Sequence, residues 1–147
     1  MKLSNKGFTF AEILLAAAIL AFALCALLAT YISCIVLYTT SKNVNIATNA
    51  ALGLAEEIRT DSFSRIYSDY NNLTFIVNDI PSSRGVVYVN QSNPEFLTVT
   101  ISVCWRQGNK IFGEDTNLNG VLNAGEDTNS NGIIDSPVQI ITRIVNR

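Results

Sequence analysis

Between Ile13 and Ala29 the chain carries no polar side chain, and the apolar run continues to Tyr38 with Thr30 and Ser33 as its chief interruptions. An uncharged run of this length has to leave water, so it constrains the fold more than any other feature. Ala, Leu and Ile dominate it and neither Pro nor Gly breaks it, which predicts a helix. At ~1.5 Å per residue, a helix from Phe8 to Leu37 reaches about 45 Å, more than the ~30 Å hydrocarbon core of a bilayer. One membrane span follows. Lys2 and Lys6 precede the run, whereas the far side starts with Lys42 alone. The positive-inside rule then keeps the short N-terminus cytoplasmic and places the residues after position 40 outside. A cleaved secretory signal has an apolar region of only about 7–15 residues, so this run is too long to be one.

The rest of the composition narrows the function by exclusion. With 147 residues the expectation is a single domain. There is no histidine, which removes the commonest general base and transition-metal ligand. A net charge of -2 without a basic cluster lacks the electrostatic footprint of a nucleic-acid binder. The chain is therefore expected to be neither an enzyme nor a nucleic-acid partner.

Glu12 lies at the leading edge of the apolar run. A charge costs about 2–3 kcal/mol near the centre of a span and less near its edge, so an acid here needs either the interface or a partner. The surrounding residues, Lys6-Gly7-Phe8-Thr9-Phe10-Ala11-Glu12-Ile13-Leu14-Leu15, resemble the class III signal of type IV pilins and type II secretion pseudopilins. Only Phe10-Ala11 departs from the usual Leu-Ile or Leu-Leu pair. The resemblance implies that residues 1–7 are a cytoplasmic leader, that a prepilin peptidase cuts between Gly7 and Phe8, and that the new Phe8 amine is methylated. It also implies assembly with other pilin or pseudopilin subunits through an inner-membrane platform. Leader removal exposes an ammonium on Phe8, which Glu12 is placed to neutralise. Four residues apart on one helix, the two can meet within a chain. The resemblance implies the intermolecular pairing, which sets axial register while Ile13 to Leu28 pack as the filament core. Residues 8–38 would form the membrane and filament-core half of the helix.

Beyond Tyr38, Ala47, Ala51, Leu54 and Ile58 recur at helical spacing, with Asn45, Thr48, Asn49, Glu56, Glu57 and Arg59 on the other side. Residues 39–70 therefore read as an amphipathic helix, with Asp61 as N-cap of a last short turn through Tyr70. The stretch Leu54-Ala55-Glu56-Glu57-Ile58-Arg59, followed by Phe63 and Ile66, resembles the type IV pilus modification proteins and the minor pseudopilin I subunits. From residue 71 the period changes to two. Thr74 to Ile80, Val86 to Val89, Leu97 to Trp105 and Val138 to Val145 are expected as strands, with a Pro81 to Gly85 turn. In the third of these, Leu97, Val99, Ile101, Val103 and Trp105 share the buried face, and Cys104 falls on the polar one. Cys104 is thus expected as an unpaired thiol open to an intermolecular link. The fold class is α+β, a lollipop whose long helix packs on a small antiparallel sheet within 71–147.

An insert at 113–136 repeats with period 12: Gly113-Glu114-Asp115-Thr116-Asn117-Leu118-Asn119-Gly120-Val121-Leu122-Asn123 returns as Gly125-Glu126-Asp127-Thr128-Asn129-Ser130-Asn131-Gly132-Ile133-Ile134-Asp135. Oxygen ligands at loop positions 1, 3, 5, 7, 9 and 12 with Gly at 6 describe a calcium loop. The first copy supplies Asp115, Asn117, Asn119, Val121, Asn123 and Glu126. The second supplies Asp127, Asn129, Asn131, Ile133 and Asp135, but Val138 stands where the closing carboxylate belongs, so this loop is weaker or shares ligands. Ca2+ is the expected cofactor, at an affinity of the extracellular kind, about 0.1–1 mM. A solvated Asn/Gly-rich hairpin is the plainer alternative.

These readings converge on a minor subunit of a type IV pilus or pseudopilus, held by one span in the inner membrane with its headpiece outside the cytoplasm. A type II secretion pseudopilin is the alternative within the family. A single-span envelope protein whose calcium-loaded domain binds a partner without polymerising is the alternative outside it.

Overall fold

The computed structural model describes residues 9–146; the leader and the Gly7–Phe8 junction lie outside the described residues. One unbroken helix, α1 (Phe10–Thr60), runs for 51 residues. By its contacts the chain divides into two units, one ending at Thr39 and one starting at Thr40.

In the first unit every residue from Thr9 to Tyr38 is exposed, and the helix is long and apolar enough to cross a membrane. Its Thr and Ser hydroxyls find partners on their own helix. Thr30, Ser33 and Thr39 each donate at 2.9 Å to the carbonyl four residues back, Ala26, Ala29 and Ile35. A span can therefore carry them without leaving a donor bare in lipid.

In the second unit the same helix buries Ala47, Ala51, Ala55 and Ile58. Helical spacing was legible, yet Ala55 is buried and Leu54 only half-buried, because 47, 51 and 55 form one line of i, i+4 neighbours. A short helix, α2 (Phe63–Tyr70), follows with Ser62 as N-cap, not Asp61. The Asp61 side chain instead accepts the Ser62 N–H at 2.7 Å.

The sheet comprises β1 (Thr74–Phe75), β2 (Ser83–Asn90), β3 (Phe96–Gln107), β4 (Lys110–Phe112) and β5 (Val138–Val145), paired antiparallel throughout. β2 lies between β1 and β3. On its other side β3 pairs with β5 over Phe96–Val103 and with β4 over Trp105–Gln107. The expected strand from Thr74 to Ile80 shrinks to two residues because the backbone beyond it is claimed elsewhere. The Ser83 hydroxyl accepts the Val77 N–H at 3.0 Å and donates to the Val77 carbonyl at 3.1 Å, and Ile80 N–H turns back to Val77 at 3.0 Å. Val77 and Ile80 are both buried although three residues apart, a spacing that a strand would place on opposite faces, so the expected period of two does not hold to Ile80. β2 begins at Ser83, inside the expected turn.

The main core gathers the buried α1 residues and Ile66 with Val87, Val89, Val138 and the five expected β3 residues from Leu97 to Trp105. The opposite sheet face is buried as well. Thr100, Ser102 and Cys104 are at most 9% exposed, and Val86, Cys104 and Ile134 form a second cluster with Tyr88, Leu118 and Leu122 packed on it. β3 therefore lies between α1 on one side and the 113–136 insert on the other. Burial pushes the Cys104 thiol up to about 11. At 1% exposure this residue offers no open link to another chain, contrary to the expectation from its strand face.

Candidate functional site

The insert between β4 and β5 folds as two copies of one loop. In each copy the fourth residue has a left-handed backbone, Leu118 at φ 58° and Ser130 at φ 60°. The sixth is a glycine at φ 78° in both, Gly120 and Gly132, a conformation that a Cβ would strain.

Hydrogen bonding repeats with the same period. Asp115 Oδ1 accepts the Asn119 N–H at 3.0 Å and Oδ2 the Gly120 N–H at 2.7 Å. Asp127 does the same for Asn131 and Gly132, both at 3.0 Å. Asn117 Oδ1 and Asn119 Oδ1 accept the N–H two residues on, from Asn119 and Val121. Asn129 and Asn131 do so from Asn131 and Ile133. The ninth residue closes each ring: the Asn123 amide meets those of Asn117 and Asn119 at 2.9 and 3.0 Å. The Asp135 carboxylate accepts from Asn129 and Asn131 at 2.6 and 2.9 Å.

The closing carboxylate that the sequence does not offer at the twelfth position of the second loop comes from elsewhere in the insert. In the first loop Glu126 Oε1 accepts the N–H and hydroxyl of Thr116 at 2.8 and 2.6 Å, and Oε2 the Asn123 N–H at 2.9 Å. In the second loop Val138 plays no such part, being buried in the main core. Glu114 does so instead: Oε1 accepts the Thr128 N–H at 3.1 Å and a short bond from the Thr128 hydroxyl, and Oε2 accepts the Asp135 N–H at 3.0 Å. Each repeat thus lends the glutamate ahead of its first aspartate to the other repeat. The signal was present in the duplicated Gly-Glu-Asp-Thr-Asn, but a linear count of twelve positions reaches Val138 and misses a residue upstream of the loop.

Burial separates the two copies. Asp115 is 1% and Glu126 5% exposed, whereas Asp127 is half-buried and Gly132 exposed. The Thr116 hydroxyl, foremost among its donors, holds the Glu126 carboxyl below the usual carboxylate range. The insert is tied to the sheet by Ile134 N–H donating to the Tyr88 hydroxyl at 3.1 Å and Arg84 Nε to the Leu118 carbonyl at 3.2 Å. Ser136 donates to the Val103 carbonyl in a further short bond. Among the described residues no three His, Cys, Asp or Glu side chains are gathered to hold a metal. A cation in these loops would draw most of its ligands from amide and main-chain carbonyl oxygens.

At the other end of the chain, Glu12 has a local partner that the sequence reading missed. Its Oε2 accepts the Thr9 N–H at 2.7 Å and the Thr9 hydroxyl at 2.9 Å, while Glu12 N–H reaches back to Thr9 Oγ1 at 3.3 Å. Thr9 and Glu12 form a capping box that satisfies donors at the start of α1. The spacing Thr-x-x-Glu ahead of an apolar run is its signature. Compared with known proteins, the chain matches no family model, no curated protein and no solved structure.

Proposed function

We propose that the chain is a structural subunit, of the minor kind, of a type IV pilus or pseudopilus. The leader is removed between Gly7 and Phe8 by a prepilin peptidase, the Phe8 amine is methylated, and the mature subunit leaves the inner membrane for a filament with other subunits. The observation that carries this reading is α1: one 51-residue helix whose residues up to Tyr38 are exposed and, apart from Glu12 and a few hydroxyls, apolar, and whose last part contributes to the core of a sheet domain. An anchor alone needs about 20 apolar residues and no such continuity. Glu12 is the one acid in the helix before Glu56; on this reading it exchanges its Thr9 cap for the Phe8 amine of a neighbouring subunit.

The insert supports a second part of the proposal, that Ca2+ stiffens the headpiece. Asp115, Asn117, Asn119, Val121, Asn123 and Glu126 would hold one ion. Asp127, Asn129, Asn131, Ile133 and Asp135 would hold another, with Glu114 in place of the missing twelfth ligand. These are hard oxygen donors, the chemistry calcium selects, and a bound ion would offset the mutual repulsion of five carboxylates with no basic residue from Glu114 to Asp135.

Mass spectrometry of the protein from its own membranes tests the first part: the expected N-terminus is a methylated Phe8, and an intact Met1 on a monomeric protein would refute the filament. Glu12→Gln is expected to insert in the membrane normally and to enter filaments poorly. Normal entry would remove its pairing role and leave the capping box as its only function.

A further inference from the structure

The insert contains the only two Asn–Gly dipeptides in the sequence, Asn119–Gly120 and Asn131–Gly132, at the same position of the two repeats. Asparagine followed by glycine is the pair most open to deamidation, because no Cβ shields the glycine nitrogen. The reaction needs that nitrogen free. Once its proton is lost to a solvent base, the glycine nitrogen attacks the asparagine Cγ. The new C–N bond forms as ammonia leaves, giving a cyclic succinimide. Water then opens the ring at either carbonyl, leaving aspartate or isoaspartate. The net change is amide plus water to carboxylate plus ammonium, with no oxidant or further reactant.

Both glycine N–H groups are held by an aspartate, but not equally. Gly120 donates to Asp115 Oδ2 at 2.7 Å, and both residues are buried. A Cβ at Gly120 would meet Thr74 Cγ2 at 2.5 Å and Arg84 Cγ at 3.2 Å, so this turn is pressed against the sheet domain. Gly132 donates to Asp127 Oδ2 at 3.0 Å, is exposed, and has nothing within 4 Å of where a Cβ would stand. Freeing Gly132 requires local opening of an exposed turn, while freeing Gly120 requires unseating the first loop from β1 and β2. Local opening is cheapest where few packed contacts are lost.

We infer that Asn131 is a spontaneous modification site of this protein and that Asn119, its counterpart in sequence, is protected. Conversion at Asn131 adds a carboxylate to the second loop as aspartate, or lengthens its backbone by one carbon as isoaspartate, and leaves the first loop unaltered. The site stands on the fold of the two turns, and the chelator in the test keeps Asp127 and Asn131 free of any cation.

The test incubates the full chain in detergent with a chelator, in mildly alkaline buffer, and follows both peptides by mass spectrometry through the mass gain of NH2 becoming OH. A fragmentation method that separates aspartate from isoaspartate identifies the products. Asn131 is expected to convert about tenfold or more faster than Asn119, because opening the Gly120 turn also loses its packing on Thr74 and Arg84. Asp127→Asn, which weakens the acceptor of the Gly132 N–H, is expected to speed Asn131 further without changing Asn119. In urea-unfolded chain the two sites should converge. Equal rates in the folded chain, an intact Asn131 where the unfolded chain converts, or indifference to Asp127→Asn would each overturn the inference.

Discussion

Truncating Ile134 to alanine tests whether the insert belongs to the fold or rides on it as a solvated hairpin. Ile134 is 0% exposed and sits with Val86 and Cys104 at the centre of the cluster between the insert and the outer sheet face. A fully buried isoleucine replaced by alanine loses its transfer free energy and leaves a cavity, about 2–5 kcal/mol in all. With Tyr88, Leu118 and Leu122 only partly buried around it, the site has some freedom to collapse, which favours the lower half, about 2–3 kcal/mol. For a unit of roughly 100 residues each kcal/mol moves the melting midpoint by about 4 °C or more, so a drop of about 8–12 °C is expected. Trp105 is the only tryptophan, 0% exposed and stacked on Phe112 at 5.0 Å. Its fluorescence during urea unfolding of the full chain in detergent reports the sheet without any added label. Val121→Ala, in the same insert but 57% exposed, serves as control and should stay within about 0.5 kcal/mol. If Ile134→Ala matched that control, the second core would contribute nothing and the insert would be a solvated hairpin.

Calcium at about a hundredfold excess over its dissociation constant should stabilise the headpiece by about 2.7 kcal/mol; Glu114→Gln and Glu126→Gln should each cut that gain, and an unaffected Glu114→Gln would mean that the second loop is not closed by Glu114. The Cys104 thiol, moved from an ordinary value of 9.0 to about 11 by burial, favours the protonated folded state. Its contribution is complete below about pH 9 and is lost as pH rises toward 11, about 2–3 kcal/mol in total. Urea midpoints of wild type should therefore fall across that window more steeply than those of Cys104→Ala, and parallel slopes would refute the burial. Gly113→Ala places a Cβ 2.2 Å from Cys104 Sγ at φ 112°, whereas Gly125→Ala meets nothing within 4 Å at φ 88°. The first should cost about 2 kcal/mol or more beyond the second, which pays only the backbone strain of about 1–2 kcal/mol; equal costs in thermal unfolding would show that the insert does not press on β3.

Several features were fixed by residue order alone. The apolar rod, its amphipathic continuation, the alternation of Leu97 to Trp105 and the duplicated loop are periodic patterns, and periodicity is a local property that neighbouring residues impose through helix and strand geometry. The Thr9–Glu12 capping box is equally local, and its motif stood in plain view. Other features depended on what lies far away in sequence. Cys104 alternates with the core face and so reads as polar, but the insert, nine and more residues later, folds back and buries it. Thr74 to Ile80 is apolar enough to be expected as one strand, yet the Ser83 hydroxyl takes the Val77 backbone groups that a ladder would have used. Val138 falls at the twelfth position of the second loop, but β5 draws it into the main core and Glu114 arrives from the opposite end of the duplication. Alternation records which residues avoid water; which surface shelters them, and which carboxylate reaches a given N–H, is settled only when distant segments compete for the same backbone donors and the same buried volume.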